Sequence, residues 1–106
     1  MKKLIRDKIP EIMKKNQQNP QIEIIQADSE YQTELHKKFI EETQEYIEAS
    51  AANNDIQAQE EIADILEVLD AICELHNYNM NQIIHYKFKK KEERGGFEKR
   101  ILLTLE

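Results

Sequence analysis

A single cysteine, Cys73, among 106 residues leaves no pair for a disulfide framework, so packing must supply stability and a reducing, cytoplasmic setting is expected. Cys73 sits among apolar neighbours and reads as a buried thiol. Long apolar runs are also missing: no stretch approaches the roughly 20 residues that span a bilayer. The opening Met1-Lys2-Lys3-Leu4-Ile5 is interrupted by Arg6, Asp7 and Lys8 before the apolar segment of a signal peptide can form. No membrane partner is therefore expected. The 3 histidines, His36, His76 and His85, share no ligand spacing, and the Glu-x-x-His pairs of a di-iron carboxylate bundle are absent. Nor is there a Ser, Cys or His constellation that would suggest a covalent route. Positive charge is in deficit, with 15 Lys and Arg against 21 Asp and Glu and a net charge of −6. That balance argues against nucleic-acid binding, which depends on cations neutralising phosphates. No repeat, low-complexity tract or linker divides the chain, and residues 1–106 read as one domain.

The chain does carry acids in a repeated pattern. Between Glu41 and Asp64, two carboxylate pairs, Glu42 with Glu45 and Glu61 with Asp64, recur at three-residue spacing on two successive helical segments. At about 100° per residue, Tyr31, Leu35, Phe39, Tyr46 and Ala49 fall within one quadrant of the first segment. Glu42 lies inside that quadrant and Glu45 at its edge, while Glu34, Glu41 and Glu48 fall outside it, where charges on an amphipathic helix belong. On the second segment, Ile62, Ile65, Leu66, Val68, Leu69, Ile72, Cys73 and Leu75 form an arc about half the helix wide. Glu61 lies in that arc and Asp64 on its border, whereas Glu60, Glu67 and Glu74 stack on the opposite face. The arc is wider than one small chain can cover, so a dimer or tetramer formed through the long helices is expected.

The remaining elements follow from local signals. Asp7 is positioned to cap a short helix with Pro10 in its first turn. Asn16 to Pro20 is a loop, and Gln21-Ile22-Glu23-Ile24-Ile25 alternates as a short strand would, with Ile101-Leu102-Leu103 as its candidate partner. Ser29 and Gln32 form a capping box for the first long helix, which runs to Ala51. Asn53, Asn54 and Asp55 make a turn short enough to lay the helix from Ile56 to His76 antiparallel beside it, bringing the two acid pairs face to face. Asn79 and Gln82 open a third helix with Met80, Ile83, Ile84 and Phe88 on its apolar face. Lys87, Lys91 and Arg94 continue that row as cations up to Gly95-Gly96, which stops the helix. They are candidate phosphate ligands, or else cations that offset the helix dipole. The fold class is all-α: an antiparallel helical bundle with short extended N- and C-terminal arms.

Carboxylates held close together and out of water destabilise one another unless a cation neutralises them. All-oxygen donors favour a hard ion, and Mg²⁺, with Mn²⁺ as a substitute, uses few carboxylates and shares its shell with phosphates. On angles alone the acids can also ring the end of a bundle and stay wet. A carboxylate-held metal with cations nearby suits phosphoryl hydrolysis, in which a further carboxylate serves as base.

Glu41-Glu42-Thr43-Gln44-Glu45, followed after fifteen residues by Glu61-Ile62-Ala63-Asp64, resembles the EExxE…ExxD signature of the all-α nucleoside triphosphate pyrophosphohydrolases. That superfamily contains MazG, dimeric dUTPases and phosphoribosyl-ATP pyrophosphohydrolase. Lys3-Leu4-Ile5-Arg6-Asp7-Lys8-Ile9-Pro10 and Lys91-Glu92-Glu93-Arg94-Gly95-Gly96-Phe97 resemble the opening and closing motifs of its small phosphoribosyl-ATP pyrophosphohydrolase-like members. The resemblance implies a MazG-like domain that cleaves a nucleotide between its α and β phosphates with Mg²⁺, as a homodimer or a dimer of dimers. It implies Glu42, Glu45, Glu61 and Asp64 as metal ligands. Glu41 and Glu42 are the catalytic candidates, Glu41 standing between supporting a ligand and acting as base. Arg6 and Lys8 join Lys87, Lys91 and Arg94 as candidate ligands of the nucleotide substrate. The alternative is a catalytically silent helical dimer with a regulatory or protein-interaction role.

Overall fold

A computed structural model describes residues 1–105. It contains four helices in the order α1 (Ile9–Lys15), α2 (Asp28–Ala51), α3 (Asp55–His76) and α4 (Met80–Arg94), and no strand among the described residues. α2 and α3 pack on each other as an antiparallel pair, the principal helix–helix contact of the chain. Their connection is short because three residues do all of its work. Asn53 takes the left-handed conformation at φ 56°, which asparagine tolerates better than most residues. The Asn54 side chain then accepts the Gln57 amide and starts α3.

The α2 side of the seam runs at seven-residue steps, and the α3 side steps by seven and then by five. Leu35, Glu42 and Ala49 are the buried residues of α2, and Glu61, Val68 and Cys73 those of α3. A seven-residue step returns a helix nearly to the same face, so apolar side chains continue above and below a layer that holds two carboxylates. α3 ends at Asn77, left-handed at φ 57°, with the Tyr78 amide bonded back to the Cys73 carbonyl. Asn79 caps α4 by accepting the Asn81 and Gln82 amides, and Gly95, at φ 82°, ends it.

Several local expectations are corrected. α2 begins at Asp28, with Ala27 as its cap residue and no side-chain cap, so Ser29 lies inside the helix and its carbonyl accepts the Thr33 hydroxyl. The acids Asp28 and Glu30 in the first turn favour the exposed amides there instead. The cap position of α1 is Lys8 and carries no side-chain bond; Asp7 does not cap it, and a backbone turn from Ile9 to Arg6 closes the start. Residues 21–25 and 101–103 form no strand. An alternating segment needs a laid-down partner, and Ile101, Leu102 and Leu103 remain exposed.

α4 differs most from the expected bundle. Ile83, Ile84 and Phe88 are exposed, Met80 is half-buried, and among the described residues α4 has no helix partner comparable to the α2–α3 pair. The Cα radius of gyration is 17.8 Å, against about 13 Å for a compact chain of this length. No helix is long and apolar enough to cross a membrane.

Candidate functional site

The carboxylate layer of the α2–α3 seam is built from both helices. Glu42 and Glu61 are each only 5% exposed, which contradicts a wet ring for these two. Glu45 is half-buried, and the side chains of Glu41 and Asp64 are 30% and 35% exposed. Glu60, Glu67 and Glu74 are exposed, as their face requires. Oxygens of Glu42, Glu61 and Asp64 lie within 4.8 Å of one another, and so do oxygens of Glu41, Glu42 and Glu45. Glu42 therefore joins both groups. The structure draws Glu41 into the cluster although the helical count turns it away, since a flexible side chain spans an angle that Cα positions alone do not.

Each buried glutamate is held at one oxygen only. Lys38, one turn earlier on α2, reaches Glu42 Oε1 at 3.3 Å, and the Gln57 amide donates to Glu61 Oε1 from one turn earlier on α3. Glu42 Oε2 and Glu61 Oε2 are buried without any hydrogen-bond partner. An i,i+4 ion pair contributes about 0.3–0.5 kcal/mol, whereas taking a carboxylate out of water costs several kcal/mol. Lys38 thus cannot offset the burial of Glu42. The remedy available to the metal-free protein is a proton. Burial raises the Glu42 carboxyl above the ordinary glutamate range, and the adjacent Glu61 reinforces the shift while Lys38 opposes it. Glu45 is raised as well, by burial first and then by Glu42.

Three cations of the chain reach these acids, and two of them went unnoticed in the sequence. Arg6, on the N-terminal arm, binds Asp64 Oδ1 at 2.6 Å across 58 residues of sequence. Lys3 lies 3.6 Å from Glu41, and Lys38 lies 3.5 Å from Glu41 as well as beside Glu42. Lys38 had a visible signal, the i,i+3 and i,i+4 spacing to Glu41 and Glu42. Gln57 had the same i,i+4 spacing to Glu61, and Lys3 stands at the head of the opening motif with no spacing that points to Glu41. Lys8 is exposed and, among the described residues, makes no ion pair with the cluster. Lys87, Lys91 and Arg94 likewise make none; Lys91 lies 3.8 Å from Glu98 instead. Within one chain, the cations brought to the carboxylates are those of the arm and of α2, not those of α4.

The oxygen-only donor set and the two orphaned buried oxygens fit a hard divalent cation, which either close group, Glu41, Glu42 and Glu45 or Glu42, Glu61 and Asp64, could hold. Compared with known families, residues 30–96 match the model of the MazG nucleotide pyrophosphohydrolase domain, which takes in α2, α3, α4 and the five acids. No curated protein and no solved structure matches the chain.

The raised carboxyls fix the pH dependence of the metal-free protein. Between the ordinary glutamate range and the raised one, the folded state holds more protons than the unfolded chain, so stability falls as pH climbs through that window. Thermal melts without metal should show the melting temperature dropping from mildly acidic to neutral pH, with a shallower drop in Glu42→Gln. Equal slopes in the two proteins would remove Glu42 as the source.

Proposed function

The chain belongs to the MazG nucleotide pyrophosphohydrolase family, and on that premise we propose that it hydrolyses a nucleoside triphosphate between the α and β phosphates, giving a monophosphate and pyrophosphate. The observation that carries the reading is the pair of buried, unpartnered oxygens of Glu42 and Glu61 inside a five-carboxylate cluster. Such oxygens are costly to a protein that holds no cation there. We assign Glu42, Glu45, Glu61 and Asp64 to Mg²⁺, with Mn²⁺ able to substitute. When bound, the ion draws charge from the phosphate oxygens it touches.

The protein's own groups then have separate roles. Glu41 lies in the cluster with its side chain still 30% exposed, so it orients a water and takes its proton as the water oxygen attacks phosphorus and the anhydride P–O bond opens. Gln57 keeps Glu61 from turning away, a positioning role. Arg6, freed from Asp64, offers a planar guanidinium to phosphate oxygens.

A homo-oligomer, dimer or tetramer, belongs to the same reading. Ile62, Leu66 and Leu69 on α3 and Ile84 and Phe88 on α4 are exposed, and the chain is expanded for its length. A second copy that covers these faces would also be the means by which Lys87, Lys91 and Arg94 approach a nucleotide. The cellular setting we propose is the cytoplasm.

Two measurements test this. Pyrophosphate release from a panel of ribo- and deoxyribonucleoside triphosphates should require a divalent cation. Glu61→Gln should lower turnover by about 10² or more, as losing an electrostatic contributor does, while Glu60→Gln on the exposed face retains it. Absence of turnover on every member would favour the catalytically silent helical dimer. Sedimentation at micromolar protein should give a dimer or tetramer, and a concentration-independent monomer would sink the assembly.

A further inference from the structure

Beside the carboxylate cluster, the N-terminal arm and the first half of α2 enclose a cleft of about 350 Å³. Its charged lining is four lysines, Lys2, Lys3, Lys37 and Lys38, against two glutamates, Glu34 and Glu41. In a chain of net charge −6 this is a local reversal of sign. Glu41 lines the cleft and also belongs to the carboxylate group with Glu42 and Glu45, so the cleft adjoins the cluster. We propose that this cleft is the subsite for the outer two phosphates of the nucleotide, those that leave as pyrophosphate, and that Lys38 and Lys3 hold them. The inference rests on the pyrophosphohydrolase reading. The arm lies outside the segment matched to the family, which begins at residue 30.

The four lysines are not equivalent. Lys2 is drawn to Glu23 at 2.9 Å and Lys37 to Glu34 at 3.3 Å, pairs that leave the cluster alone. Lys38 lies against Glu41 and Glu42 together, at 3.5 and 3.3 Å, and its side chain is only 18% exposed. Lys3 reaches Glu41 at 3.6 Å from the opposite wall. Both ammonium groups are therefore held by acids assigned to metal binding or catalysis. A divalent cation that takes up the charge of Glu42 weakens the attraction holding Lys38, and phosphates arriving with that cation are the replacement anion. A lysine ammonium on a flexible stem can make that exchange by rotation alone. Lys38 spaced three and four residues from Glu41 and Glu42 would also arise as a simple helix-surface ion pair. That ordinary role does not require a second lysine facing it from the arm, nor a cleft between them.

Calorimetric titration of inorganic pyrophosphate in the presence of Mg²⁺ separates the two roles. Relative to wild type, Lys38→Met should raise the dissociation constant about tenfold, the loss expected for one charged hydrogen bond, and Lys3→Met several-fold. Lys38→Arg should retain most of the affinity. Lys14→Gln, the same charge change on α1, should leave it unaltered. Lys3 is exposed enough that its loss does not threaten the fold. Mg²⁺ titrated alone should bind Lys38→Met at least as tightly as wild type, because a competing cation has gone. Unchanged pyrophosphate affinity in both Met variants, or an equal loss in Lys14→Gln, would overturn the subsite. If wild type still releases pyrophosphate from a nucleotide in that case, the subsite alone fails. If wild type turns over no nucleotide and binds no pyrophosphate, the hydrolase reading fails and takes the subsite with it.

Discussion

Two glutamates inside a helix–helix seam impose the condition that the rest of the site answers. Glu42 and Glu61 occupy positions where the heptad step would otherwise place apolar side chains, and each keeps one oxygen without a partner. Replacing either with leucine would give a drier and more stable seam by ordinary packing logic. Their presence makes sense only if something other than the stability of the empty protein is served. The metal-free chain manages the layer with the means it has: a proton on the raised carboxyls, Lys38 against Glu42, Gln57 against Glu61, and Arg6 and Lys3 from the arm. Each is a partial remedy, and a divalent cation would replace several of them at once.

This condition also explains why the chain devotes its best-defined structure to so small a region. α2 and α3 are long, packed on each other and joined by a turn of three residues, with Asn54 capping α3, so the backbone that carries the acids is braced on both sides. The cations that neutralise the cluster sit partly on a segment without regular structure, residues 1–8. Acids on two packed helices, with counter-cations on long side chains, suit a site whose internal ion pairs could be exchanged for a metal and a polyanion. The exposed face of α4 and the apolar residues beyond Gly95 lie apart from this region, and the single chain leaves them in water.

Much of this was legible in the residues. Helical phasing separates Glu42 and Glu61 from Glu60, Glu67 and Glu74, and burial follows that division, because a long helix with a wide apolar arc has little freedom to rotate. The stop of α2 at Ala51, the cap at Asn79 and the end of α4 at Gly95 were readable from local chemistry. What escaped was decided by tertiary contact. The Arg6–Asp64 pair joins residues 58 apart, which no periodicity encodes, and a stripe such as that of Ile83, Ile84 and Phe88 does not say whether its partner lies in the same chain. Alternation in residues 21–25 misled for a related reason, since it describes a strand's faces and not its neighbour. The helical angle of Glu41 points away from the cluster that its carboxylate joins, because phasing locates Cα atoms while a glutamate reaches several ångströms beyond its own.

If the inward oxygens of Glu42 and Glu61 exist for a divalent cation, direct Mn²⁺ binding reveals it without reference to any substrate. Loss of the free aqueous Mn²⁺ signal in electron paramagnetic resonance, followed during titration, should reveal saturable binding to wild type, displaced by Mg²⁺. The double variant Glu42→Gln/Glu61→Gln should lose that binding and melt at a higher temperature than wild type when both are metal-free. Saturable Mn²⁺ binding that is equal in the two proteins, or absent from wild type, would mean that these oxygens serve no cation.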